Sequence, residues 1–339
     1  MTKRIIWILT CLSLLVIIGS AEKVTVVDFT GRSVSVDAPV HRVVSLGTGV
    51  AGYIYALDGG QSLVGRDSYS YFPPDLEEIA IAGKSSYAPD LELIVKLQPD
   101  LVIADSMLSE KDQKEIEDAG IPVIIEWAGD PAKIIKVMED VGLVMGKEER
   151  VQELTGFIKK YQDLIQEGAA GLDEKDKPKI FFEWTDTPYS TGTNGSSFDT
   201  LIGITGGVNI AESLGNSTHS YVTVDPEWVI KVDPDVIIQT KSGNKPYNET
   251  DLKRFRDAIL ARPELQDIKA IKTGRVYIIS GEIMYGVRSI ITELYMAKLF
   301  HPEQFKDIDP EAVHRELVDK FFGLNLEEGA YIYPSNSST

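Results

Sequence analysis

Residues 92–103 read Glu-Leu-Ile-Val-Lys-Leu-Gln-Pro-Asp-Leu-Val-Ile, and residues 227–238 read Glu-Trp-Val-Ile-Lys-Val-Asp-Pro-Asp-Val-Ile-Ile. The two stretches align without a gap, with identities at Glu92/Glu227, Lys96/Lys231, Pro99/Pro234, Asp100/Asp235 and Ile103/Ile238. Each reads as a short helix that stops before a Pro-Asp turn and feeds a buried strand. Proline cannot continue a helix, and it pushes the residue before it toward extended geometry. One such unit in each half predicts two similar lobes, each with a carboxylate at a matching place.

The same rhythm fills the rest of both halves. Short apolar runs at 42–47, 62–66, 100–104 and 121–126 alternate with helical stretches, and do so again at 179–184, 235–239 and 275–280. That alternation predicts an α/β fold of two similar lobes with mainly parallel sheets. Ahead of them, 24–29 and 33–36 alternate with period two around Thr30-Gly31-Arg32 and predict a β-hairpin. Between the halves, 147–168 carries apolar residues at 151, 154, 157, 158, 161, 164 and 165, with charges opposite. This is helical spacing, and such a helix spans roughly 30 Å. The expected division is an N-terminal lobe over 22–145, a bridging helix over 146–170, a C-terminal lobe over 171–333 and a disordered tail over 334–339.

The first 21 residues differ in kind. Lys3 and Arg4 precede an apolar run from 5 to 18, and Gly19-Ser20-Ala21 supplies small residues for cleavage. This reads as a secretory signal, with an uncleaved anchor as the alternative; the run is short for a membrane span. Export to the periplasm or the outer face of the cytoplasmic membrane follows. The only cysteine, Cys11, lies inside this segment, so the mature chain has no disulfide, no catalytic thiolate and no Cys-based metal site. Losing Lys3 and Arg4 takes the formal charge from −18 to −20, which argues against nucleic acid as a partner. The 339 residues, 43% hydrophobic and 25% charged, suffice for two cored domains. Sequons at Asn194, Asn216, Asn248 and Asn336 are compatible with export.

In order along the chain stand Arg42-Val-Val-Ser-Leu-Gly, Leu63-Val-Gly-Arg-Asp-Ser-Tyr-Ser-Tyr-Phe-Pro-Pro, Leu97-Gln-Pro-Asp-Leu-Val-Ile-Ala and Gly120-Ile-Pro-Val. Gly195-Ser-Ser-Phe, Thr205-Gly-Gly-Val-Asn-Ile and Asp233-Pro-Asp-Val-Ile-Ile follow. With these motifs the chain resembles the helix-bridged, class III periplasmic substrate-binding proteins of iron–siderophore, haem and cobalamin importers. The resemblance implies a ligand cleft between the lobes and a partner, an ABC permease dimer with a cytoplasmic ATPase. It further implies a receptor, monomeric and without catalysis or a resident cofactor, and docking through Glu92 and Glu227. A first-turn Glu beside an Asp cap is also favoured by the helix dipole alone, at ~0.3–1 kcal/mol.

Ligands of open α/β sheets lie beyond the carboxyl ends of the strands. That rule brings Thr48, Arg66, Tyr69, Tyr71, Trp127, Trp184, Tyr221, Tyr285 and Arg288 to the cleft as candidate ligand contacts. Asp105-Ser106, Lys241 and the 281–288 loop complete the walls. Tyr69, Trp184 and Tyr221 also match family positions that line the cleft. Aromatic faces suit a large planar or multi-ring ligand, and Arg66 and Arg288 suit carboxylates or an anionic chelate. The expected ligand is an iron chelate, siderophore or haem, with a corrinoid as the alternative. The four histidines are scattered, so no direct metal site is expected; Tyr221 or His219 are the candidates to ligate a haem iron.

Two other classes compete. Gly47-Thr-Gly-Val-Ala-Gly after a strand fits a dinucleotide cradle, with Asp67 where an acidic ribose partner belongs. Export away from nicotinamide pools disfavours it, and no Walker lysine, Ser-His-Asp order or nucleophile elbow is visible. An exported sensor of the same ligand is the other alternative.

Overall fold

The structure, a computed structural model, describes residues 22–47, 49–184, 187–215, 220–243, 246–326 and 329–335. The signal segment 1–21, Thr48, His219 and residues 336–339 of the tail lie outside the described residues. In chain order the strands are β1 (Glu22–Val27), β2 (Ser33–Ala38), β3 (Val43–Leu46), β4 (Leu63–Asp67), β5 (Ile81–Gly83), β6 (Leu101–Ala104) and β7 (Val123–Ile125). They continue as β8 (Lys179–Trp184), β9 (Ser190–Gly192), β10 (Val208–Asn209), β11 (Tyr221–Thr223), β12 (Val236–Lys241), β13 (Val276–Ser280) and β14 (Ile332–Tyr333).

The first lobe holds a fully parallel sheet of order β5-β4-β3-β6-β7 beside the antiparallel β1–β2 hairpin. The second holds the path β11-β9-β8-β12-β13-β14, with β10 also on β8. Its centre, β10-β8-β12-β13, is parallel, and β9, β11 and β14 turn antiparallel at the edges. Central strands are apolar throughout, as burial on both faces requires: all four residues of β3 and of β6 are buried, and all six of β12.

The two Glu units are built alike. Asp90 caps the Leu91–Leu97 helix by accepting from Leu93 N, and Asp225 caps Pro226–Val232 by accepting from Glu227 N. Both helices end on a left-handed residue, Gln98 at φ 48° and Asp233 at φ 52°. The Pro-Asp turn then ties the next strand to its neighbour. The Asp100 carboxylate accepts from His41 N and Arg42 N at 2.9 Å, just before β3. The Asp235 carboxylate accepts from Lys179 N at 2.8 Å, at the start of β8. Every repeated residue from Pro to Ile thus has a folding role. Glu92 and Glu227 have none of that kind and are exposed.

Between the sheets runs a helix over Glu148–Ala169, burying Val151, Leu154, Thr155, Phe157, Ile158, Tyr161 and Ile165. It packs on the Ile134–Met145 helix of the first lobe and the Ser289–Phe300 helix of the second. Near its start Arg150 holds both lobes together. Its Nε donates to Ala56 O at 3.2 Å, its Nη2 donates to Lys320 O at 2.9 Å, and its guanidinium lies 4.8 Å from the Phe321 ring.

Candidate functional site

A cavity of about 680 Å³ lies between the two sheets. Its walls are mostly loops that leave the carboxyl ends of parallel strands, where ligands of open α/β sheets belong. In the first lobe β4 leads to Tyr69, Tyr71 and Phe72, β5 to Tyr87, β6 to Asp105 and Met107, and β7 to Trp127. In the second, β8 ends at Trp184, β12 ends at Lys241, and β13 leads to Glu282, Tyr285 and Arg288. Phe198 and Tyr221 close that side.

The β4 loop is shaped by Asp67, whose carboxylate accepts from Tyr69 N at 2.8 Å, Ser70 N at 3.1 Å and Ser70 Oγ at 2.7 Å. Its neighbour Arg66 corrects the sequence expectation. Arg66 is buried and does not line the cavity; its guanidinium donates to the Leu76 and Asp67 carbonyls. A strand's side chains alternate between faces, and Arg66 folds under its own loop to satisfy carbonyls there. Thr48 lies outside the described residues. The other seven candidates, Tyr69, Tyr71, Trp127, Trp184, Tyr221, Tyr285 and Arg288, meet at the one cavity.

The aromatic side chains form two groups. Trp127 and Tyr285, from opposite lobes, have ring centroids 6.2 Å apart. Trp184 and Tyr221 lie 4.8 Å apart, and Phe198 stands edge-on to Tyr221 at 5.8 Å while stacking on Phe182 at 4.3 Å. Tyr221 remains 36% exposed. At the mouth Tyr87 and Met107 are half exposed. A hydrogen bond with Tyr69, with help from the Lys84 ammonium, holds the Tyr87 phenol below its usual value.

Arg288 is the polar centre of the cavity. It is 5% exposed, its Cζ lies 3.8 Å from the Phe72 ring centroid, and its Nη2 lies 3.4 Å from Glu282 Oε2. Nη1 is buried with no hydrogen-bond partner among the described residues. A buried guanidinium N–H without an acceptor is costly, so this atom is poised for one. Burial raises the Glu282 pKa, with Arg288 pulling the other way. His314 is fully buried; burial first, then Arg288 and Arg315, push it down to about 2, so it stays neutral. Burial also raises Asp105 against hydrogen bonds from Ser86 and Met107 N. Among the described residues the ionisable side chains of the wall are two acids, Asp105 and Glu282, and two bases, Lys241 and Arg288. Among the described residues no three His, Cys, Asp or Glu side chains gather as a metal site.

The lobes touch behind the cavity. Gly286 N donates to Ala128 O at 3.1 Å, and Trp127 Nε1 donates to Ser197 Oγ at 3.1 Å. Gly49 (φ 93°) and Gly286 (φ 69°) meet backbone to backbone: a Cβ on Gly49 would lie 2.6 Å from Gly286 N, and one on Gly286 2.7 Å from Gly49 O. This contact accounts for the middle glycine of the Gly47-Thr-Gly-Val-Ala-Gly motif without any phosphate.

Phe72, Tyr87, Met107, Phe198 and Phe322 are wall residues that sequence reasoning missed. Tyr87 follows β5, a three-residue strand with no readable period, so nothing in the sequence marks its loop as a strand end. Phe72 stands inside a quoted motif, and only the Arg288 contact reveals its use.

Residues 43–282 match the family described as periplasmic binding protein, more than half of the chain. The chain belongs to that family. An uncharacterized ABC transporter substrate-binding lipoprotein of Bacillus subtilis is 26% identical to this periplasmic binding protein over 292 residues, covering 84% of this chain and 87% of that one. A cobalamin-binding protein of Halobacterium salinarum is 24% identical over 224 residues, 66% of this chain and 60% of that protein. Among solved structures, a periplasmic solute binding protein of Veillonella parvula superposes with a TM-score of 0.70 at 25% identity, covering 91% of this chain and 95% of that one. The periplasmic binding protein described here shares the fold of that solved structure.

Proposed function

We propose that this chain is the substrate-binding receptor of an ABC importer, carrying an iron chelate, siderophore or haem, to a membrane permease with a cytoplasmic ATPase. The observation that carries the reading is Arg288: a buried guanidinium against the Phe72 ring, its Nη1 without a hydrogen-bond partner among the described residues, in an aromatic-walled cavity of about 680 Å³. Flat apolar walls hold a multi-ring ligand at little entropic cost, and the guanidinium takes one anionic group. Among the described residues the wall is rich in aromatic rings and carries few ionisable side chains, which favours a flat chelate such as haem over a polyanionic ferric complex. A corrinoid is the second reading, favoured by the relative named as cobalamin-binding and by wall hydroxyls at Ser70, Ser106 and Ser196 that suit amide groups. The basic and apolar first 21 residues support export.

The test is titration of residues 22–339 with haem, ferric siderophores and cobalamin, read by the fluorescence of Trp127 and Trp184, with free iron as control. Saturable quenching by one chelate at submicromolar concentration is the expected result; a folded protein silent to all of them overturns the chelate reading. Arg288→Met and Trp184→Ala should each weaken that binding by about 1–3 kcal/mol. Unchanged affinity removes the residue from the site.

Docking through Glu92 and Glu227 belongs to the same proposal. Both are exposed, in the first turn of matching helices. Glu92→Ala with Glu227→Ala should leave ligand affinity intact and abolish stimulation of the partner ATPase. Lost ligand affinity would move these residues into the cleft and sink the docking role.

A further inference from the structure

The Glu units share one property that folding does not explain. Val95 and Ile230 occupy the same position in the two units, three residues after Glu92 and Glu227. Val95 is 45% exposed and Ile230 is 39% exposed. The residue before each, Ile94 and Val229, is fully buried and anchors the helix. One further step of 100° turns the next side chain to solvent, where an aliphatic group contributes nothing to the core. Single exposed apolar residues are ordinary. Two at equivalent positions of separate lobes, each on a helix with an exposed Glu three residues earlier, are a repeated surface, since i and i+3 share a helix face. Lys96 and Lys231 follow one residue later, identical and exposed, and complete it.

We propose that Val95 and Ile230 are matched apolar pads that seat the receptor on two like subunits of its membrane partner. The inference rests on the receptor reading and adds to the Glu contacts a second, uncharged component. Each subunit then presents the same half-site: a basic group for Glu92 or Glu227, an apolar depression for Val95 or Ile230, and an acceptor for Lys96 or Lys231. Two copies of one half-site imply a partner with two-fold symmetry. The pads supply contact area that salt does not screen, whereas the exposed charge pairs weaken as ionic strength rises.

The test uses the mature receptor, residues 22–339, and its permease–ATPase complex in lipid vesicles, with ATPase rate measured against receptor concentration. Val95→Ser and Ile230→Ser should each raise the half-saturating receptor concentration about threefold, and the double variant about tenfold, the steps multiplying because the sites are far apart. Ligand affinity and Tm should stay at wild-type values. An unchanged half-saturation in the double variant overturns the pads while the Glu docking stands. Strongly unequal single variants overturn the two matched half-sites. A loss of ligand affinity overturns the proposal by placing these residues in the path to the cleft. Failure of the wild-type receptor to stimulate the ATPase is a different outcome and overturns the receptor reading itself.

Discussion

Gly286→Ala should destabilise the protein by about 2–4 kcal/mol, from left-handed strain and forced backbone displacement together, and lower Tm by roughly 4–8 °C. Gly286 sits at φ 69°, and an added Cβ would lie 2.7 Å from Gly49 O and 2.8 Å from Gly49 Cα. Those are backbone atoms at the start of the Val50–Ala56 helix and cannot rotate away, so the lobes must part. Two bonds between the lobes are then lost or stretched: Gly286 N to Ala128 O, and Trp127 Nε1 to Ser197 Oγ. Thermal unfolding gives the stability, and Trp127 emission should shift to the red as its indole meets water. Gly52→Ala is the control. It stands inside the same helix with nothing within 4 Å of an added Cβ, so alanine should stabilise it by about 0.5–1 kcal/mol. A Gly286→Ala protein that melts within about 1 °C of wild type would show that the lobes do not bear on each other there.

The second large effect is on pH dependence, and it comes from Glu293. This residue is buried in the Ser289–Phe300 helix, with a hydrogen bond to Gln162 of the bridging helix, and burial pushes its pKa up to about 8. Glu126, just after β7, is likewise pushed up to about 8, by burial first and then by Asp140. Tyr53 lies within electrostatic reach of both. Tyr53 Oη, Glu126 Oε1 and Glu293 Oε1 are all buried without hydrogen-bond partners among the described residues. Each carboxyl keeps its proton in the folded state over a range where the unfolded chain has lost it. Stability is therefore highest below the unfolded value, falls as pH rises from about 4.5 to about 8, and levels off above. The slope is about 1.4 kcal/mol per pH unit for each group. Glu293→Gln carries the neutral shape permanently and should remove that group's share. Urea midpoints from pH 4 to pH 9, in roughly one-unit steps, check it: the variant should match wild type at the acid end and exceed it increasingly toward pH 8. Parallel curves would mean that Glu293 is ionised in the native protein.

The architecture was readable because it rests on local rules. The Pro-Asp turns, the apolar runs of the central strands and the helical period at 151, 154, 157, 158, 161 and 165 each report on neighbours a few residues away. The short strands β5, β9, β11 and β14 have two or three residues, too few to show a period. The cleft was legible as a set of strand ends, and Trp127, Trp184 and Arg288 do line one cavity. Arg66 failed because the rule locates the strand end and leaves side-chain direction open. Gly49 with Gly286, and Tyr53 with Glu126 and Glu293, are meetings across more than seventy residues. Nothing near any of these residues in sequence announces its partner.

The bridging helix sets the kinetics of such a receptor. It is packed along its length against one helix of each lobe, and Arg150 pins carbonyls of both at its start. A wide swing would strip those contacts, so the motions left are small shears of packed helices. Residence of a ligand then depends on the grip of the walls. Unloading falls to whatever pulls the two tips apart, and the work of prising the lobes becomes a demand on the transporter.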